Sequence, residues 1–159
     1  MTSVVSPTDG TVVALGDVPD PVFAGQLVGA GVAVQPAGDT ESPGGTGRLV
    51  RVVSPLAGEI VKLHPHAFVV VGESGTGVLV HVGIDTVKLA GQGFELAVAE
   101  GATVARGELV VSFDPAVVQA AGYSSVIPVV VLDSPADSVD QAAVGSTVAS
   151  GDPLFDLPA

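Results

Sequence analysis

Short apolar runs bounded by Gly, Pro, Asp and Ser recur along almost the whole chain. Examples are Gly31-Val32-Ala33-Val34, Ala67-Phe68-Val69-Val70-Val71, Val78-Leu79-Val80-His81-Val82 and Leu109-Val110-Val111-Ser112-Phe113. Their length, β-branched content and bounding turn residues predict strands. One segment reads as a helix: Asp114 is its cap, Pro115 suits its first position, 116–121 tolerate helix, and Gly122 ends it. Within 78–83, strand periodicity sets Val78, Val80 and Val82 on one face and Leu79, His81 and Gly83 on the other. The valine face is expected to enter the core, leaving the imidazole on the opposite side.

The pattern also repeats. Val4-Val5-Ser6-Pro7-Thr8-Asp9-Gly10-Thr11-Val12-Val13-Ala14-Leu15 aligns with Val52-Val53-Ser54-Pro55-Leu56-Ala57-Gly58-Glu59-Ile60-Val61-Lys62-Leu63. Each copy reads as strand, turn, strand, with Pro at the first corner and Gly at a strained exit. A second pair joins Gly101-Ala102-Thr103-Val104-Ala105-Arg106-Gly107-Glu108-Leu109 to Gly145-Ser146-Thr147-Val148-Ala149-Ser150-Gly151-Asp152-Pro153-Leu154. Such repeats are too few and too uneven for a solenoid. The expected fold is all-β: an antiparallel β-sandwich with an internally duplicated (hybrid) motif and one short helix.

Composition narrows the function classes. The chain has 159 residues, enough for one domain spanning 1–159, and its 47% hydrophobic content supplies a core despite 21 Gly and 12 Pro. A polar excursion at 40–47 is expected to be a mobile loop. With 17 acidic against 5 basic residues, the net charge of −12 opposes nucleic acid and anionic membrane surfaces. Zero Cys excludes disulfides, thiolate zinc sites and cysteine nucleophiles. No targeting segment or membrane-length apolar run is seen, which predicts a cytoplasmic protein with no direct membrane insertion.

Few residues are left to carry chemistry: His64, His66 and His81, with Asp85 four positions beyond the last. Aliphatic neighbours disfavour a charged imidazole, so His81 fits a neutral nucleophile, although the residue taken alone reads more readily as a hydrogen-bonded structural histidine. His64 and His66, two apart, share a side of an extended strand. With His81 and Asp85 they compose a ligand set for zinc, or stand as a solvated pair. The residues alone do not rank a zinc centre against a phosphoryl site.

A resemblance does. Val80-His81-Val82-Gly83-Ile84-Asp85-Thr86-Val87-Lys88-Leu89, followed by Gly91-x-Gly93-Phe94, resembles the active-site signature of a known family. That family is the glucose and N-acetylglucosamine type IIA components of the phosphoenolpyruvate-dependent sugar phosphotransferase system. His66-Ala67-Phe68 is similar to its second histidine segment. Asp17-Val18-Pro19-Asp20-Pro21-Val22-Phe23-Ala24 and Gly29-Ala30-Gly31-Val32-Ala33-Val34-Gln35-Pro36 are similar to its N-terminal signature. The resemblance implies a duplicated β-sandwich and a phosphotransferase that carries a phosphoryl group on Nε2 of His81. It implies the histidine-containing phosphocarrier protein as donor and a cysteine of a sugar-specific IIB domain, free or within a IIBC permease, as acceptor. It further implies that His66 hydrogen-bonds a phosphoryl oxygen and that Asp85 orients the site or tunes its charge. No cofactor is implied; zinc enters only as an incidental ligand of His66 and His81.

Three departures accompany the likeness. The stretch from Gly58 to His66 is shorter than in enteric members, with His64-Pro65 where those carry a threonine. The 40–51 loop is longer, and with Met1 almost at the first strand the N-terminal extension with which some relatives reach the membrane is expected to be missing. Val22, Phe23, Leu79, Val82, Ile84 and Val87 are candidates for an apolar docking ring that excludes water, with the acidic excess as its rim. Two other readings stand beside this one. A zinc metallopeptidase-like domain using His64, His66, His81 and Asp85 would have its motifs in reversed order. A purely regulatory binding protein of the same family, acting on transporters or kinases, would share the docking face.

Overall fold

Valine dominates the apolar positions, and its branched Cβ fits a pleated surface better than a helix. The computed structural model describes residues 2–37 and 49–157; the 40–47 excursion lies outside the described residues. Its strands are β1 (Ser3–Val5), β2 (Gly10–Ala14), β3 (Gly29–Pro36), β4 (Val50–Val53), β5 (Gly58–His64), β6 (Ala67–Val71) and β7 (Gly77–His81). They continue with β8 (Phe94–Leu96), β9 (Thr103–Val104), β10 (Leu109–Phe113), β11 (Ile127–Leu132), β12 (Thr147–Val148) and β13 (Pro153–Asp156). A large antiparallel sheet runs β12-β2-β3-β11-β7-β6-β5-β9 and curls into a half-barrel. Among the described residues two small sheets, β1-β13 and β4-β10-β8, accompany it. Val12, Val32, Ile60, Phe68, Val78 and Val80 of the large sheet share one core with Val4 and Phe155 of one small sheet and Val52, Val111 and Phe113 of the other.

The sequence repeat is a spatial one. Exchanging β2 with β5, β3 with β6, β11 with β7 and β12 with β9 turns the large sheet's order into itself reversed. Val4 pairs with Phe155 as its counterpart Val52 pairs with Val111; Gly10 pairs with Val148 as Gly58 pairs with Val104. The copies also clasp each other. The Val5 N–H donates to the Pro55 carbonyl at 3.0 Å, and the Val53 N–H donates to the Pro7 carbonyl at 2.8 Å. In each turn a fully buried serine closes the corner: Ser6 Oγ donates to the Thr8 carbonyl and Ser54 Oγ to the Leu56 carbonyl, both at 2.7 Å.

The glycines of these turns serve a purpose other than the one expected. Gly10 and Gly58 are not among the residues of positive φ. A Cβ there would lie 2.1 Å from the Gln35 carbonyl oxygen and 2.1 Å from that of Val71, respectively. Glycine is required by close strand approach, not by turn strain.

The expected helix is present as Pro115–Ala120, where Asp114 Oδ1 accepts the Ala116 N–H at 2.9 Å. It is not alone. One α-turn, Pro21–Ala24, carries the same signal: Asp20 caps it and Pro21 opens it. Short 3-10 turns occur at Leu15–Asp17 and Thr86–Leu89. Elements of one turn are too short for a hydrophobic period to register.

The 15–28 segment lies against the outer face of the large sheet. Leu15, Val18 and Phe23 pack with Ala33, Ile84, Val126 and Val130 into a second apolar cluster, with Leu79 and Val13 at its edge. Leu79 and Val130 are cross-strand partners and so share a face, the one opposite Val78 and Val80. The segment covers that face up to the position where His81 emerges.

Candidate functional site

His81 ends β7, directly opposite Ala67, the first residue of β6. Its side chain points away from the main core, as periodicity predicts: Val78, Val80 and Val82 are buried while Leu79 and His81 are partly exposed. The chain turns immediately afterwards. Gly83 has φ +83°, and a Cβ on it would lie 2.5 Å from Thr86 Cγ2 and 2.9 Å from the Ser124 carbonyl oxygen. Thr86 is buried, and its Oγ1 donates to the Val82 carbonyl at 2.6 Å. The Ile84 N–H donates to the Ser124 carbonyl at 2.8 Å, tying the turn to the neighbouring segment. This bracing aims the Gly83 carbonyl back at the histidine.

His81 Nδ1 lies 2.5 Å from that carbonyl oxygen. A carbonyl only accepts, so Nδ1 carries the proton and a neutral ring has its lone pair on Nε2. Burial holds the imidazole below its ordinary pKa; the Gly83 hydrogen bond, Asp20 and then Asp85 pull the other way without reversing the shift. His66 is held down as well, first by burial and then by the charges of His81 and His64. Both rings are thus neutral near pH 7.

His66 reaches the site from the β5–β6 hairpin. The Val82 N–H donates to its carbonyl at 2.6 Å, and its ring centroid lies 5.4 Å from that of His81 at 67°. On another side the Phe23 ring stands 5.1 Å from His81 at 57°. Asp85 is exposed with φ +63° and makes no capping hydrogen bond. The acceptor that orients His81 is the Gly83 carbonyl, and Asp85 bears on the ring through charge.

Asp20 acts on His81 ahead of Asp85, and sequence reasoning did not single it out. Its carboxylate also accepts the Val22 N–H at 2.8 Å. Asp-Pro opening a turn was the available signal. Thr86 likewise escapes notice in the sequence, because its task depends on a Gly83 conformation that no spacing reveals.

The docking candidates divide. Val22 and Val87 are 42% and 56% exposed, and Leu79 is half-buried. Phe23 is buried but flanks the His81 ring. Val82 and Ile84 are core residues: Val82 continues the inward face of β7, and Ile84 packs in the second cluster. They offer no surface to a partner. Among the described residues no group of three or more His, Cys, Asp or Glu is placed to hold a metal ion. No helix among them is long and apolar enough to cross a membrane.

The duplication does not duplicate the site. By register, the Ala67–His81 pair corresponds to Gly31–Val130 in the other half. Val130 is fully buried in the Phe23 cluster, so the 15–28 segment covers there what lies open at His81.

A neutral imidazole with one nitrogen anchored and the other without a hydrogen-bond partner among the described residues, beside a second neutral imidazole, is the equipment of a protein that carries an electrophilic group on histidine. Residues 2–136 match the family described as phosphoenolpyruvate-dependent sugar phosphotransferase system, EIIA 1, and the chain belongs to that family. It is 39% identical over 151 residues to the PTS system glucose-specific EIIA component of Bacillus anthracis, covering 94% of this chain and 85% of that protein. It is 41% identical over 157 residues to the PTS system N-acetylglucosamine-specific EIICBA component of Escherichia coli (strain K12), covering 96% of this chain and 22% of that longer protein. Among solved structures, the glucose permease IIA from Mycoplasma capricolum superposes with a TM-score of 0.82 at 30% identity, over 96% of this chain and 93% of that one. Members of the family are phosphotransferases that relay phosphoryl groups in sugar transport, and that is the role of this chain. Other relatives are longer proteins named EIICBA components, of which the match covers 19% and 22%. Neither the zinc-peptidase reading nor the purely regulatory one finds support.

Proposed function

We propose that Nε2 of His81 is the phosphoryl acceptor. The observation that carries this is the Nδ1–H bond to the Gly83 carbonyl, which leaves the lone pair of a neutral ring on the outward nitrogen. Nε2 attacks phosphorus in line; the Nε2–P bond forms as the P–N bond of the donor breaks and its electron pair returns to the donor imidazole. The donor is the phosphorylated histidine of the histidine-containing phosphocarrier protein. No proton needs to move, because Nδ1 keeps its proton on Gly83 throughout. Onward transfer reverses these roles: a thiolate of the IIB domain attacks phosphorus and the pair returns to Nε2.

His66 donates a hydrogen bond to a phosphoryl oxygen, and Asp20 and Asp85 steady the ring as it becomes cationic. Val22, Leu79, Phe23 and Val87 border the site and exclude water when a partner docks. The relay is cytoplasmic and needs no metal or cofactor, since a neutral imidazole is already the nucleophile. Glucose and amino sugars of the glucose series are the substrates of the permease it serves.

The test uses purified phosphocarrier protein, its kinase and labelled phosphoenolpyruvate. Label should reach this chain in an acid-labile, alkali-stable form and be absent from His81→Ala. His66→Gln should accept label and pass it to IIB poorly. Labelling of His81→Ala at the wild-type level would overturn the assignment.

A further inference from the structure

The site holds three imidazoles, and transfer through His81 with His66 beside it employs two. His64 ends β5 and pairs with Ala67, which pairs in turn with His81, so His64, Ala67 and His81 form one row across three strands. Ala67 contributes only a methyl group to this row, and His66 occupies the turn between the strands. The His66 ring stands between the other two: 5.5 Å from His64 at 21° and 5.4 Å from His81 at 67°. The first geometry is stacking and the second is edge contact, both within the range of favourable aromatic pairs. Among the described residues the His66 ring has no hydrogen-bond partner of its own. Its backbone is anchored by Val82, but two χ angles stay free unless a neighbour fixes them.

We propose that His64 is a positioning residue for phosphoryl transfer: stacked on His66, it holds that imidazole at a steep angle to His81 and presents a His66 nitrogen to the phosphoryl group on Nε2. This rests on His81 being the acceptor. An exposed histidine at a hairpin tip gains nothing from a fixed orientation, yet here it lies nearly parallel to its neighbour. The arrangement serves both states of the site. In the resting state His64 and His81 oppose protonation of His66, which stays neutral beside the nucleophile. Once His81 carries a phosphoryl group, the added negative charge favours a donating His66, and the ring is already in place. His64 itself forms and breaks no bond.

The experiment compares His64→Ala, His64→Phe and His64→Gln in the full chain, each first phosphorylated on His81. Single-turnover transfer to a purified IIB domain is followed at several IIB concentrations, with the ring signals of His66 titrated by NMR. His64→Ala should slow the transfer step about threefold to tenfold, the worth of an aromatic pair, without weakening IIB binding. Phe, which stacks but does not titrate, should restore the rate to within about twofold; Gln should not. The His66 titration should move to higher pH in His64→Ala. Wild-type transfer together with an unmoved His66 titration would overturn the proposal, as would rescue by Gln but not Phe. The outcomes separate from those of the acceptor assignment: labelled His81→Ala removes both, whereas a silent His81→Ala with a fully active His64→Ala removes only this one.

Discussion

Gly83 is where the backbone and the chemistry meet, and Gly83→Ala is the sharpest perturbation of both. At φ +83° an L-residue costs about 1–2 kcal/mol. The new Cβ would also lie 2.5 Å from Thr86 Cγ2 and 2.9 Å from the Ser124 carbonyl oxygen. The threonine methyl is itself buried, and the carbonyl is held by the Ile84 N–H, so neither gives way freely. Overpacking of this kind adds about 1–3 kcal/mol, for a total of about 2–5 kcal/mol. In a domain of this size that lowers Tm by about 5–15 °C. Relief requires the peptide to rotate, which takes the carbonyl away from His81 Nδ1. A buried N–H left unpaired costs about 1–3 kcal/mol, so phosphoryl acceptance should fall by about 5-fold to 100-fold beyond any loss of folded protein. Thermal melts give the first quantity and single-turnover labelling of the folded fraction gives the second. A variant that melts normally, or melts early yet accepts phosphoryl at the wild-type rate, would refute the reasoning.

Three further outcomes rest on the same geometry. Asp20→Asn keeps a capping oxygen but removes the charge, so the His81 titration should move to lower pH while stability changes by less than about 1 kcal/mol; an upward or absent shift in the NMR titration would contradict the assigned coupling. His66 and His81 both have folded-state pKa values depressed below their unfolded ones, so their contribution to stability is complete above about pH 6.5 and is lost as pH falls through the folded values. Urea midpoints should drop on acidification through this range, and drop less in a His66→Gln/His81→Gln double variant. Ser6→Ala and Ser54→Ala each strip a donor from a buried carbonyl and should each cost about 1–3 kcal/mol in urea titrations, matching to within about 1 kcal/mol; a large inequality would argue against equivalent halves.

Strand periodicity and duplication are local signals, and much of the fold is legible in residue order for that reason. The alternation through 78–83 places His81 outside the core, and the Ser-Pro repeat foretells the paired turns. The β5–β6 hairpin is less readable. Spacing alone puts His64 and His66 on one side of an extended strand, whereas His66 sits in a turn and meets His64 by stacking. Ile84 passes for a docking residue because apolar neighbours of a site look alike in sequence, and its inward turn depends on β7 ending and on the bridge to Ser124; Val82 is turned inward by the same alternation that exposes His81. Asp20 reaches the site through the fold, from 61 positions upstream of His81. Its own neighbourhood marks it only as a helix cap.

The central claim is that phosphoryl is carried on the outward nitrogen of one histidine. The most direct measurement is NMR of the uniformly 15N-labelled protein in its phosphorylated state, correlating phosphorus with ring nitrogens. A phosphorus coupling to Nε2 of His81, with a proton retained on Nδ1, is the predicted result. Coupling to Nδ1, or to any nitrogen of His64 or His66, would contradict the account.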